Sequence, residues 1–339
     1  MIKSYIASLV AKDKQDDAFL LNFRPDTLDE IIGRKAQKKL FSVMISSVKK
    51  RKEQGESVAL DHVLFYGPPG LGKTTFARVI AKELGTKLVT TSGVALTKPI
   101  DVVSILTNLE PGDVLFIDEI HRLRRNLQEV LYTAMEDYKV DILIGEGMGA
   151  NTTTMNLAPF TLIGATTNIG LLTGPLRDRF GVIQHLGYFE DEDIFYIIKR
   201  ASLKDNTLIT DNAIWEIAKR SRGTARVAIR LYKRVKEFAH YHDIEKIDEK
   251  TVENTMQMLD IDQLGLDQLD KKILQVIIND FGGGPVGLKS VAQILGEDLQ
   301  TIQDVHEPYL VRIGFLKRTS RGRVVTENAV QHVQKQGLV

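Results

Sequence analysis

The chain has 339 residues. That is too long for one ordinary core of roughly 100–150 residues, so two or three domains are expected. Hydrophobic residues make up 43% and charged residues 26%, with nine prolines, which excludes a disordered chain. The lack of any cysteine excludes disulfides, thiolate zinc sites and a cysteine nucleophile, and a net charge of +1 predicts no affinity for nucleic acid by itself.

The opening stretch MIKSYIASLVAKDKQDDAF has only a short apolar patch before charges resume. No signal peptide or membrane span is expected, and a cytoplasmic protein is the default.

Residues up to about 190 alternate between strand and helix patterns. DHVLFYG, KLVTTS, DVLFID and FTLIGATT are short, nearly continuous apolar runs, as strands buried on both faces are. Between the first two lies TTFARVIAKELG, where Phe76, Val79, Ile80 and Leu84 recur at helical spacing and Gly85 supplies a stop. An α/β fold with a parallel, doubly wound sheet is predicted.

GPPGLGKTT, Gly67 to Thr75, matches the phosphate-loop pattern G-x-x-x-x-G-K-[ST] with a strand before it and a helix after it. Gly70 and Gly72 let backbone N–H groups close round phosphate oxygens. Lys73 is placed to neutralise the β and γ phosphates, and the Thr74 hydroxyl to ligate Mg²⁺. LFIDEIHR supplies the second half: Asp118 at a strand tip for the metal, Glu119 to align and deprotonate water. An isolated Asp-Glu pair would be read as a helix cap; the phosphate loop upstream decides for catalysis. FTLIGATTN ends in polar residues beside the same site, where Thr166, Thr167 or Asn168 could touch the γ-phosphate or its water, or simply end a strand. PLRDRFG offers two arginines in a constrained loop, for a finger supplied in cis or in trans or for a salt bridge.

From Asp191 to about Asp260 the pattern turns helical: EDEDIFYIIKRASLK, TDNAIWEIAKRS, TARVAIRLYKRVKEFAHYH and DEKTVENTMQML, with acidic or Thr/Asp starts that suit N-caps. Arg226 opens the third of these, where it could report the nucleotide state. Its basic neighbours read as a solvated helical face. Ile217 to Lys236 hold eight Lys or Arg and no acid, and Pro308 to Thr326 hold five and no acid. After DIDQLGLDQLD, three amphipathic helices and two short strands around SRG describe a winged helix. A basic hairpin of this kind gives a sequence-blind, salt-dependent grip on phosphates.

Phosphate loop, DEIH, GATT, an arginine-bearing loop and GTxR, in this order, resemble an AAA+ ATPase. TTSG (90–93), LTNLEPGDVLFIDEIHRL (106–123), EVLYTAMEDY (129–138), PFTLIGATT (159–167), LTGPLRDRFG (172–181) and GGPVGL…EPYL…GFLKRTSRGR are similar to the RuvB family of bacterial Holliday-junction branch-migration motors, from about Asn22 to Gly322. The resemblance implies a large ATPase domain (1–189), a small helical lid (190–260) and a winged-helix head (261–339). It implies ATP and Mg²⁺ as cofactors, homo-hexameric rings on duplex arms of four-way DNA, and branch migration with RuvA in homologous recombination and repair, with RuvC resolvase as a further candidate partner.

By the same resemblance, Lys73, Asp118, Glu119 and a trans-acting Arg179 are catalytic. Arg24, Gly70, Gly72, Thr74, Thr75, Glu136, Asp137, Tyr138, Thr167, Phe189 and Arg226 bind nucleotide, and Arg318, Arg321 and Arg323 meet DNA. The hairpin 140–157, with Ile142, Leu143 and Ile144, is the candidate RuvA contact. The chain departs from the family at GATTN for GATTR, GTAR for GTPR, RTSRGR for RTPRGR, Phe189 for the usual tyrosine and Leu299 for a frequent arginine. A clamp-loader-like remodeller of protein would carry a C-terminal helical collar and an SRC finger. A nucleotide-switched DNA-binding regulator would need neither Glu119 nor Arg179.

Overall fold

A computed structural model describes residues 19–144 and 151–337. The chain divides into two compact units: one runs to Arg200 and includes Thr224–Arg226, and the other holds Ala201–Gly223 and the chain from Val227 onward.

The first unit is built on a five-stranded parallel sheet: β1 (Val63–Tyr66), β2 (Leu88–Ser92), β3 (Val114–Asp118), β6 (Thr161–Thr166) and β7 (Val182–His185). Their order is β2-β3-β6-β1-β7. The central strands are buried, β6 at every position and β1 and β3 at all but their last residues, Tyr66 and Asp118, which explains their apolar sequence. β7 was not among the expected strands. It lies at the edge and alternates half-buried with exposed residues, so VIQH lacks the apolar run that marks the others.

The helix Lys73–Leu84 follows β1. Its Phe76, Val79, Ile80 and Leu84 are all buried, and Gly85 caps it in the left-handed region at φ 67°. Phe76 meets Phe65 of β1 at 5.3 Å and Phe41 of the helix Lys35–Glu53 at 5.8 Å between ring centroids. Burial of such side chains stabilises by about 1.5–3 kcal/mol each, so this aromatic knot holds the phosphate loop's base rigid. The strands β4 (Lys139–Ile144) and β5 (Asn151–Asn156) pair antiparallel as the expected hairpin. Residues 145–150 and the side chains of Ile142, Leu143 and Ile144 lie outside the described residues.

In the second unit, Thr210 and Asp248 cap the helices Asp211–Lys219 and Glu249–Met258, each side chain accepting a backbone N–H at 3.1 and 2.8 Å. The basic run expected as a solvated face is partly drawn inward. Arg234 is buried and paired with Glu237, and Lys236 is paired with Asp205. A separate core of Ile273, Leu274, Ile277, Val291, Leu310 and Val333 holds the winged helix: Gln268–Phe281, Leu288–Leu295, a helical stretch from Leu299 to Arg312 interrupted by a π turn at Ile302–His306, the hairpin of β8 (Leu316–Thr319) and β9 (Gly322–Val325), and the helix Glu327–Lys335. Among the described residues no helix is long and apolar enough to cross a membrane.

Candidate functional site

The phosphate loop leaves the C-terminal end of β1 as a run of left-handed glycines: Gly67 at φ 140°, Gly70 at 79° and Gly72 at 94°. Only glycine enters such conformations freely, and they turn successive N–H groups toward one concavity. Gly70 also has a packing role, since a Cβ there would lie 3.1 Å from the Cβ of Arg226. Arg226 therefore stands at the loop itself.

Lys73 opens the following helix and is 9% exposed. Its Nζ donates to the carbonyl oxygens of Gly67 at 2.7 Å and Pro68 at 2.8 Å. Burial pushes this ammonium down to about 8, Asp118 holds it up in part, and Arg226 adds to the depression. A desolvated lysine, a second cation, a helix N-terminus and a cradle of N–H groups converge on one place, which is the environment a polyphosphate needs. Thr74 and Thr75 occupy the first turn, half-buried.

Asp118 ends β3, in register with Ser92 of β2. Its Oδ1 accepts the N–H of Glu119 at 2.9 Å. Glu119 itself sits at φ 48°, ψ 43°, a conformation that costs a non-glycine residue free energy and that turns the chain sharply at the strand tip. Gly93 makes this turn possible: a Cβ on it would come within 2.4 Å of the Glu119 carbonyl oxygen. The oxygens of Thr74 and Asp118 are hard donors of the kind Mg²⁺ takes together with waters and substrate phosphates, so the residues present fit that ion.

Thr166, at the tip of β6, is buried. Its hydroxyl shares a hydrogen bond with His121 Nδ1 at 3.0 Å and accepts the N–H of Asn168 at 3.0 Å. The Asn168 side chain accepts from Gly170 N–H at 3.1 Å and so caps the next turn. Thr167 and Asn168 are both exposed, and among the described residues Thr167 makes no such internal bond.

Arg179 lies elsewhere. It is three residues before β7, whose first residue, Val182, pairs with Val63 at the start of β1, whereas the phosphate loop follows the end of β1. Arg179 pairs with Glu136. The neighbouring Tyr138 packs on His62 and Phe160, which immediately precede β1 and β6. Arg179, Glu136 and Tyr138 thus gather at the N-terminal edge of the sheet, and the phosphate loop at its C-terminal edge, about 10 Å of strand away.

In the wing, Arg318 and Arg323 stand directly opposite one another across β8 and β9. Both bond to Glu307, which is fully buried: Arg318 Nε at 2.8 Å, Arg323 Nε at 2.7 Å and Nη2 at 3.3 Å. Arg321 is in the exposed turn between the strands.

Three family models account for most of the chain. Residues 23–186 match the Holliday junction DNA helicase RuvB P-loop domain, 189–262 the RuvB AAA lid domain, and 263–334 the RuvB C-terminal winged helix domain. The chain belongs to the RuvB family. A Holliday junction branch migration complex subunit RuvB from Ligilactobacillus salivarius is 52% identical over 312 residues, 92% of this chain and 91% of that protein. The corresponding subunit from Pediococcus pentosaceus is 49% identical over 327 residues, covering 96% and 95%. Among solved structures, the Thermotoga maritima RuvB Holliday junction branch migration motor is similar with a TM-score of 0.81 at 48% identity, over 92% of this chain and 98% of that one. The chain is accordingly an AAA+ P-loop ATPase that binds nucleotide, and the motor class expected from its motifs is that of the RuvB family.

Of the catalytic and nucleotide-binding residues expected in this RuvB-family chain, Gly70, Gly72, Lys73, Thr74, Thr75, Asp118, Glu119, Thr167 and Arg226 lie at one edge of the sheet. Glu136, Asp137, Tyr138 and Arg179 do not join them within one chain. Arg24 is half-buried in the segment where Arg200 donates to the carbonyl of Phe23 at 2.8 Å. Phe189 lies under the guanidinium of Arg34, 4.2 Å from the ring centroid. The sequence alone assigns no role to Arg34, His121 or Gly93. His121 and Gly93 have a signal, since they end the DEIH and TTSG motifs; Arg34 is recognisable only from what it touches.

Proposed function

We propose that the chain forms homo-hexameric rings on the duplex arms of four-way DNA and drives branch migration with RuvA, using ATP and Mg²⁺. The observation that carries the ring is the position of Arg179 at the sheet edge opposite its own phosphate loop. A guanidinium there serves phosphoryl transfer only in the site of an adjacent copy, together with Glu136, Asp137 and Tyr138.

Within each site Lys73 and Arg226 would hold the phosphates, Thr74 and Asp118 the Mg²⁺, and Arg24 and Phe189 the adenine side. Bound MgATP supplies the phosphoryl group to be transferred. Glu119 orients the attacking water and takes its proton, Thr167 touches the γ-phosphate side, and Arg179 of the neighbour meets the charge that develops. Turnover then moves the head domain (261–339) relative to the ATPase domain (1–189) through the lid (190–260). Arg318, Arg321 and Arg323 grip phosphates without reading bases, which suits a motor that passes over any sequence. The hairpin 140–157 is the proposed RuvA contact, RuvC a further partner, and the cytoplasm the compartment.

Mixing two inactive variants tests the shared site. Lys73→Ala chains keep Arg179, and Arg179→Ala chains keep Lys73, so mixed rings contain some complete sites and regain part of the ATPase activity. No recovery at any ratio would sink the trans assignment.

A further inference from the structure

The wing holds an unexplained arrangement beneath its arginines. Glu307 has no solvent exposure, and its carboxylate is shared by two guanidiniums that come from opposite strands of the hairpin. Two like charges facing each other across a strand pair destabilise it, and a lone buried carboxylate is costlier still. Each problem removes the other: one negative and two positive charges leave a compact group with a single positive charge in excess.

The backbone is shaped to deliver this carboxylate. The π turn Ile302–His306 stands immediately before Glu307, and the consecutive residues His306 and Glu307 are both buried. His306 bonds Asp270 at 2.8 Å, while Glu307 reaches the wing. π turns inside helices are frequent at functional sites.

The hydrogen-bond pattern then decides what remains. Glu307 takes Nε of Arg318, and Nε and Nη2 of Arg323. Nη1 and Nη2 of Arg318 and Nη1 of Arg323 make no hydrogen bond among the described residues, and the Arg318 side chain is 55% exposed. Three N–H-bearing nitrogens from two guanidiniums locked to one anchor suit an anion with more than one oxygen.

We propose that Glu307 is a positioning residue for the DNA grip: it fixes Arg318 and Arg323 side by side so that their remaining N–H groups engage one phosphodiester together. This rests on the reading of the wing as the DNA contact. A free arginine loses several rotatable bonds on meeting phosphate; one held by its Nε has lost most of that freedom in advance.

The test measures binding of the full chain to a fluorescent duplex of mixed sequence across a salt series, for the parent, Glu307→Gln, Arg323→Lys and Arg318→Ala/Arg323→Ala. Glu307→Gln is expected to weaken binding on the order of tenfold and to make the salt dependence shallower, while binding stoichiometry and DNA-free ATPase stay at the parent's level. On the Arg318→Ala/Arg323→Ala background it should have no further effect. A purely structural role would instead lower the fraction of active chain and leave the affinity and salt slope of the remainder unchanged. Should Glu307→Gln fail to fold, Arg323→Lys serves, since it keeps the charge but cannot hold the carboxylate with two nitrogens; it too should weaken binding. Parent-like or tighter binding by Glu307→Gln or by Arg323→Lys, with the double alanine variant impaired, overturns the positioning role alone. Undiminished binding by the double alanine variant overturns the grip and the proposal together.

Discussion

Arg179 is ion-paired with Glu136 of its own chain, at the edge of the sheet opposite Lys73. The two side chains are 35% and 50% exposed, and such pairs contribute only about 0–1 kcal/mol. The pair is therefore readily exchanged for a phosphate of an adjacent site, which offers the guanidinium a stronger, bidentate partner. Arg179→Ala should leave nucleotide affinity of the isolated chain within about twofold and cut turnover by a factor on the order of 10³ or more. Fluorescent-nucleotide titration alongside steady-state hydrolysis separates the two. A loss of affinity equal to the loss of turnover would contradict a role confined to the developing charge.

Lys73 supplies a prediction with a definite sign. Burial holds its ammonium near 8 in the nucleotide-free chain, so at pH 8 about half of it is neutral. Phosphate oxygens raise that value, and binding must then take up protons. Calorimetry of ATP binding in buffers of different ionisation enthalpy should show proton uptake that is negligible near pH 6 and grows above pH 7. Lys73→Arg, charged at every accessible pH, should abolish it. Proton release by the parent at pH 8 would show that the lysine is not the group involved.

Gly93, the last residue of TTSG, and Glu119 of DEIH form a tight contact that neither motif discloses by itself. A methyl at position 93 would meet the Glu119 carbonyl oxygen at 2.4 Å, so Gly93→Ala must displace the catalytic turn or destabilise the unit. The expected outcome is a fall in turnover of about 10²-fold or more, in line with the usual contribution of a positioned base, with KM changed much less. Glu119→Gln should lose at least as much while keeping the fold. A Gly93→Ala protein with parent kinetics would mean that the strained turn at Glu119 has no part in catalysis.

Residues with a local signature were legible in the sequence. The phosphate loop is written as glycines that must take positive φ and a lysine that must follow them. β1, β3 and β6 are written as unbroken apolar runs, because both their faces are covered. β7 was not legible, because an edge strand covered on one side needs no such run. The contacts of Gly93, Arg34 and Glu307 were hidden for a different reason: they join residues that are not neighbours in the chain, Gly93 to Glu119, Arg34 to Phe189, and Glu307 to Arg318 and Arg323. The edge on which Arg179 lies follows from strand order, which no single motif encodes.

The second unit carries a pH dependence. Burial works against charge on His306, but the hydrogen bond and charge of Asp270, with Asp267 beyond it, outweigh this and hold the imidazole above its ordinary value of about 6.5. Asp270 is itself held below the usual carboxylate range; burial opposes this, and Arg222 and His306 prevail. The imidazolium stabilises the folded unit fully below about pH 6.5, and this contribution disappears as pH rises through the elevated value. The carboxylate's contribution is present above about pH 4 and is lost as pH falls through its depressed value. Melting of the chain should thus be highest in the weakly acidic window and decline toward pH 9. His306→Gln should flatten the alkaline decline. An unchanged profile in that variant would assign the dependence to other groups.

The central claim is that ATP turnover at the shared site moves DNA through the winged helix. Its most direct measurement is conversion of a synthetic four-way junction into duplexes by the chain with MgATP, with and without a RuvA-type partner, against Glu119→Gln and Arg318→Ala/Arg323→Ala. The account predicts conversion that requires Glu119, is stimulated by the partner and is weakened when the wing arginines are removed. Vigorous hydrolysis with no junction converted under any of these conditions would contradict it.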